Sequence, residues 1–280
     1  MIPFPEIHSI ARAIPNTISR LTQTRQLSSN PATAPVVSFP GIGSPEAFLT
    51  PLLQHLQDAG HNVRLGGNRI NLGPTYRAYD RMEKLLEHAY EKTGVPIIGI
   101  GHSLGVLYHL HFAHKNPHMY QHIIGLAGPS ELNLEEAHTH TNIGAAFYVM
   151  DRVKFLYRRD LMESWERESE RSPLPDHIYC SMIIAAKDDI VSPYDCELPP
   201  GTNNRNFYVD TTHTGILTSK IVHELTEHLT RHGNQAPIPP HIKKHLLSRD
   251  DIVPFEKMSP PTVGDIVRGI HNFARTVIHR

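Results

Sequence analysis

Val95-Pro96-Ile97-Ile98-Gly99-Ile100-Gly101-His102-Ser103-Leu104-Gly105-Val106 is the stretch that decides how this chain is read. Residues 95–100 are apolar almost throughout, as strands buried on both faces of a parallel sheet tend to be. The following spacing predicts a helix from Leu104 to Lys115. Between the two, Gly101-His102-Ser103-Leu104-Gly105 leaves room only for a sharp strand-to-helix turn. Such a turn strains the serine backbone. Glycines two residues to either side remove the side chains that would strike the neighbouring strand and helix. The turn lifts the Ser103 hydroxyl above the sheet, beside a helix N-terminus whose dipole and free N–H groups favour a developing oxyanion.

The same alternation extends in both directions. Val36-Val37-Ser38-Phe39 is a short strand ended by Pro40-Gly41-Ile42-Gly43, and Ser44 and Pro45 read as N-cap and first residue of a helix that stops at Gly60. A strand from His61 to Leu65 and a helix from Thr75 to Lys92 precede the central stretch. Strands at His122–Leu126, Ile178–Ala186 and Asn206–Val209 and a helix at Gly215–Arg231 follow it. Strands alternating with helices of this length imply an α/β fold, a mostly parallel sheet with helices on both faces. Residues 34–130 and 176–232 form this core. Residues 1–33 are an N-terminal appendage, 131–175 a charged insert expected to form a small helical cap, and 233–280 a C-terminal helical extension. That extension has helical pieces near His241–Ser248 and Thr262–His279. The latter is amphipathic, with Val263, Ile266, Ile270 and Phe273 on one face, and packs on its own domain or forms a homodimer contact.

Composition excludes several classes. With 27 basic and 28 acidic residues among 280, the net charge is -1, and no basic excess marks a nucleic-acid partner. No apolar run is long enough for a membrane span. The N-terminal twenty residues, broken by Pro3, Pro5 and Pro15, do not read as a secretory signal, and the expected location is cytoplasmic. The 2 cysteines, Cys180 and Cys196, are expected to be reduced. The 21 histidines are neutral at pH 7 for the most part and read chiefly as polar surface.

A serine hydroxyl needs an imidazole to take its proton and a carboxylate to orient that imidazole. His213 follows the last short strand and precedes the last helix, at the edge where such sheets place their sites. Asp188 and Asp189 both lie where the apolar run 182–186 ends, and the residues alone leave the choice between them open. His102 adjoins Ser103, but neighbours on a tight turn point apart, so it is expected to line the pocket.

On these motifs the chain resembles the α/β-hydrolase superfamily over roughly Pro35 to Arg231, and its lipase- and esterase-like members in particular. The motifs are Phe39-Pro40-Gly41-Ile42-Gly43, Gly101 to Gly105, Asp188-Asp189-Ile190-Val191-Ser192-Pro193 and His213-Thr214-Gly215-Ile216-Leu217. The resemblance implies that Ser103 is the nucleophile, His213 the base and Asp188, rather than Asp189, its orienting carboxylate. It also implies an oxyanion hole from the backbone N–H groups of Ile42 and Leu104. The activity implied is cleavage of a small-molecule ester or lipid with an apolar acyl group through an acyl-enzyme, without a cofactor. A thioesterase, amidase or acyltransferase with the same triad, or a non-catalytic hydrolase-fold binding protein, are the alternatives. Within the insert, Phe147 and Met150 are candidate pocket residues. Metal binding is not expected. His223 and His228 are five apart, about 140° around a helix, whereas the zinc-protease motif needs four. His109, His111 and His114 have no carboxylate or cysteine beside them on the helix.

Overall fold

The computed structural model describes residues 33–65, 71, 73, 75–130 and 174–252. The strands are β1 (Pro35–Phe39), β2 (Asn62–Leu65), β3 (Ile97–His102), β4 (Tyr120–Leu126), β5 (Tyr179–Ala185), β6 (Asn204–Val209) and β7 (Leu246–Leu247). The helices are α1 (Thr50–Asp58), α2 (Tyr76–Thr93), α3 (Leu104–Lys115), α4 (Lys220–His232) and the single turn α5 (Pro240–Lys243). The strands form one 7-stranded sheet in the order β2-β1-β3-β4-β5-β6-β7. Every described neighbour pair is parallel except β6 and β7.

Alternation along the strands sorts side chains to the two faces. Val37, Phe39, Ile97, Ile123, Met182 and Ile184 pack with Tyr79, Met82 and Leu86 of α2 and with Leu107 and Phe112 of α3. Their neighbours Val36, Ile98, Ile124, Ile183 and Ala185 pack with Leu52, Leu53 and Leu56 of α1 and with Val222, Leu225 and Leu229 of α4. The placement follows from handedness. A right-handed crossover changes face when the chain changes its direction of travel across the sheet. From β1 the chain steps outward to β2 through α1. It then returns past β1 to β3 through α2 and continues to β4 through α3. The sheet order therefore reverses between β1 and β3, and open α/β sheets hold their sites beyond the C-terminal strand ends at such a switch point.

Three local expectations differ from the structure. Ser44 does not cap the first helix. Its backbone N–H and C=O are bonded to Gly41 and Asn71, and a 3-10 turn over Glu46–Leu49 intervenes before α1. The helix expected from Gly215 is divided into a 3-10 turn over Gly215–Leu217 and α4, with extended Ser219 between them. The helix expected over His241–Ser248 stops after one turn, because Leu246 and Leu247 pair antiparallel with Val209 and Tyr208 on the open edge of β6. Most of the N-terminal appendage, nearly all of the cap, including Phe147 and Met150, and the amphipathic helix at 262–279 lie outside the described residues. Cys180 and Cys196 are free and buried. No helix among the described residues is long and apolar enough to cross a membrane.

Candidate active site

Ser103 stands between β3 and α3 with φ 53 and ψ -126, a region that non-glycine residues rarely occupy and that costs on the order of 1–3 kcal/mol. One tertiary and one local hydrogen bond hold it there. Its N–H donates to the Leu126 carbonyl of β4 at 3.0 Å, and its carbonyl accepts from Val106 N–H at 3.0 Å. Both glycines of the motif are sterically required. A Cβ on Gly101 would lie 2.5 Å from the carbonyl carbon of Gly105, and one on Gly105 would lie 2.1 Å from the Phe39 oxygen. A third requirement was not read from the sequence. A Cβ on Gly128, just beyond β4, would come within 2.4 Å of the Ser103 oxygen. The Gly128-Pro129 pair after an apolar strand was the available signal.

The Pro40–Gly43 loop lies directly against this turn. A Cβ on Gly41 would sit 2.8 Å from Ser103 Cβ and 3.4 Å from its Oγ, so only glycine lets the loop approach so closely. Phe39 pairs in register with Gly101, which carries the two C-terminal strand ends to the same level. Neither the Ile42 nor the Leu104 N–H has a hydrogen-bond acceptor among the described residues. For Leu104 this follows from its place as first residue of α3, where an amide has no partner within the helix.

Asp188 and His213 meet on the same sheet edge. The ring Nδ1 of His213 donates to Asp188 Oδ2 at 2.8 Å, and both residues are buried. The other carboxylate oxygen accepts the backbone N–H groups of Ile190 and Val191, each at 2.9 Å. This turn, set by Ile190-Val191 after the aspartate, orients the carboxylate and compensates for its loss of water. With Nδ1–H engaged, a neutral ring presents an unprotonated Nε2. Of the two adjacent aspartates, Asp188 supplies the carboxylate that meets Nδ1.

His102 connects the two halves of the site. It is only 2% exposed, so it opens scarcely at all toward solvent. Its Nε2–H donates to the His213 carbonyl at 3.0 Å, and the two rings lie 4.8 Å apart, tilted by 50°. Burial, with the neighbouring His213 ring adding to it, pushes the His102 pKa down to about 3. His102 is therefore neutral, and its Nδ1 is left without a partner. The last link, Ser103 Oγ to His213 Nε2, is not closed by a hydrogen bond here. Such contacts commonly tighten only in the reacting complex.

The other histidines singled out by the sequence sit elsewhere. His109 stacks on Phe39 and pairs with the Tyr120 hydroxyl, and His111 pairs with the Tyr79 hydroxyl. Among the described residues, no group of three or more His, Cys, Asp or Glu is arranged to hold a metal ion.

Comparison with known proteins finds likeness in structure alone. No family model matches the sequence, and a search of the curated proteins gives no match. Among solved structures, the mature lipase BlEst2 of Bacillus licheniformis superposes with a TM-score of 0.54 at 15% identity, over 74% of this chain and 96% of that one. A structure from the work on LipS and LipT, two metagenome-derived lipolytic enzymes, gives a TM-score of 0.51 at 12% identity, over 71% of this chain and 94% of the other. With the sheet order and the strained serine turn, these likenesses define the class: the chain has the α/β-hydrolase fold.

Proposed function

We propose that the protein is a serine hydrolase that cleaves carboxylic esters with an apolar acyl group. The observation that carries this reading is the strained Ser103 turn on the same sheet edge as the buried Asp188–His213 pair, with His102 hydrogen-bonded between them. Ser103 Oγ attacks the ester carbonyl while His213 Nε2 takes its proton. Asp188 holds the ring in the required tautomer and stabilises the imidazolium that forms. The carbonyl oxygen becomes an anion facing the Ile42 and Leu104 N–H groups. The tetrahedral intermediate then collapses, and the leaving alcohol takes the proton from His213. Water, deprotonated by the same ring, hydrolyses the acyl-enzyme and restores Ser103. No step requires a group beyond the protein, the ester and water.

The test is labelling with a fluorophosphonate, with Ser103→Ala as the control, followed by p-nitrophenyl esters of increasing acyl length. The reading expects a covalent adduct on Ser103 and turnover that rises with acyl length beyond acetate. A folded protein that takes no label and turns over no ester would instead be a binding protein on a hydrolase fold. Faster kcat/KM on acyl thioesters than on the matched oxygen esters would move the assignment to a thioesterase.

A further inference from the structure

We propose that Asn71 is a positioning residue that sets the backbone of the oxyanion loop; the inference rests on the serine-hydrolase reading above. Asn71 belongs to no strand or helix, yet it is wholly buried. An amide side chain is buried in such a place only when its hydrogen bonds are made. Here the side chain and the backbone both converge on one short loop. Asn71 Nδ2 donates to the Pro40 carbonyl at 2.7 Å. Its backbone carbonyl accepts from Gly43 N–H at 2.6 Å, and its backbone N–H donates to the Ser44 carbonyl at 3.0 Å. The remaining atom, Oδ1, accepts from Gly73 N–H at 3.0 Å and so ties the residue to its own segment.

The three partners Pro40, Gly43 and Ser44 bracket Gly41 and Ile42. On one side the loop is clamped by Asn71, and on the other Gly41 is pressed against Ser103. Between these contacts the Ile42 N–H is left without an acceptor among the described residues.

The loop has little rigidity of its own. Two of its four residues are glycine, Gly43 lies at a positive φ of 68, and Pro40 has no N–H to give. An oxyanion donor is effective only when it is aimed before the charge develops, because reorientation during the reaction forfeits the stabilisation. Asn71 touches no reacting atom. Its contribution is to hold the Ile42 amide in place.

The experiment uses the full-length protein with Asn71→Ala and Asn71→Asp. The aspartate variant keeps an acceptor for Gly73 and the backbone bonds, and sets a carboxylate oxygen against the Pro40 carbonyl where the amide now donates, while the alanine variant removes the donor without adding charge. Each variant is assayed on a p-nitrophenyl ester, with a trifluoromethyl ketone that forms a tetrahedral adduct on the serine, and by amide exchange at Ile42 and Gly43. The expected result is a kcat lower by about 10- to 100-fold with KM nearly unchanged. Affinity for the ketone should fall by a similar factor, exchange at Ile42 and Gly43 should quicken, and the pH profile of kcat/KM should stay in place. An active wild type whose folded Asn71→Asp variant keeps kcat and ketone affinity within about twofold overturns the role of Asn71 alone. A wild type that neither hydrolyses esters nor takes the fluorophosphonate overturns the hydrolase reading and this role with it.

Discussion

The serine turn and the aspartate–histidine pair share one sheet edge, but different kinds of information build them. Around Ser103 the decisive residues are close in sequence: Gly101 and Gly105 remove Cβ atoms that would strike Gly105, Val106 and Phe39. The pair Asp188–His213 spans 25 residues and meets only because β5 and β6 are adjacent and parallel, with Ala185 and Val209 in register at their ends. A turn made by neighbours is legible as a motif. A pair made by sheet order requires the sheet.

The contrast leads to separate outcomes for the two halves. Ser103→Ala should lower kcat by on the order of 10⁶ while leaving the fold intact, since Ala occupies the same backbone position. Thermal unfolding and ester hydrolysis measured on one preparation check it, and residual activity within 100-fold of wild type would remove Ser103 from the chemistry. Asp188→Asn should cost about 10⁴ in kcat, because the amide favours the wrong His213 tautomer. It should also destabilise the protein, since an NH₂ group would replace one of the two oxygens that now accept from Ile190, Val191 and His213. Asn there with unimpaired kcat would transfer the orienting role away from Asp188.

The glycine comparison isolates the local half. Gly105→Ala should destabilise the fold by about 3 kcal/mol or more, because the new methyl would lie 2.1 Å from the Phe39 carbonyl oxygen. Gly60→Ala, with nothing within 4 Å of the added carbon, should lose only the positive-φ preference, about 1 kcal/mol. Equal midpoint shifts for the two in urea would contradict the steric account.

Acid should act on the buried histidines. Burial lowers the pKa of His102 and His109 to about 3 and that of His122 to about 4. In the unfolded chain these rings take protons near pH 6.5, so below that value the unfolded state binds more protons than the folded one. Their contribution is intact above pH 6.5 and lost as the pH falls toward 4, at about 1.4 kcal/mol per pH unit for each ring. Urea midpoints that fall steeply between pH 6.5 and 5 are expected, and a flat profile would mean that these rings are not held neutral. The smallest effect concerns the tie between the two halves. His102→Gln retains a donor for the His213 carbonyl and should keep kcat within about tenfold, whereas His102→Ala should fall further. Equal kcat for the two variants would show that the hydrogen bond to residue 213 does not matter.

Much of this was legible in the order of residues. Apolar runs marked β1, β3, β4 and β5, the last of them ended by Lys187-Asp188-Asp189, and the residues placed the elbow at Ser103. The misses share a cause. Ser44 looked like a helix cap, but its backbone is used by Gly41 and Asn71. Leu246 and Leu247 looked helical, but an unpaired edge of β6 was available to them. In each case a partner distant in sequence competed with the local preference and prevailed.

By itself the sequence determined the alternation of strand and helix, since burial on both faces demands continuous apolar runs and a sharp turn demands glycine. It also determined which serine sits at the bend. Only the tertiary structure decided that Asp188 meets His213, that His102 donates to the His213 carbonyl, and that Asn71 is bonded to the loop beside Ser103. Those contacts depend on which strands become neighbours and in what register, and hydrogen bonds of fixed length and direction form only after the sheet has assembled.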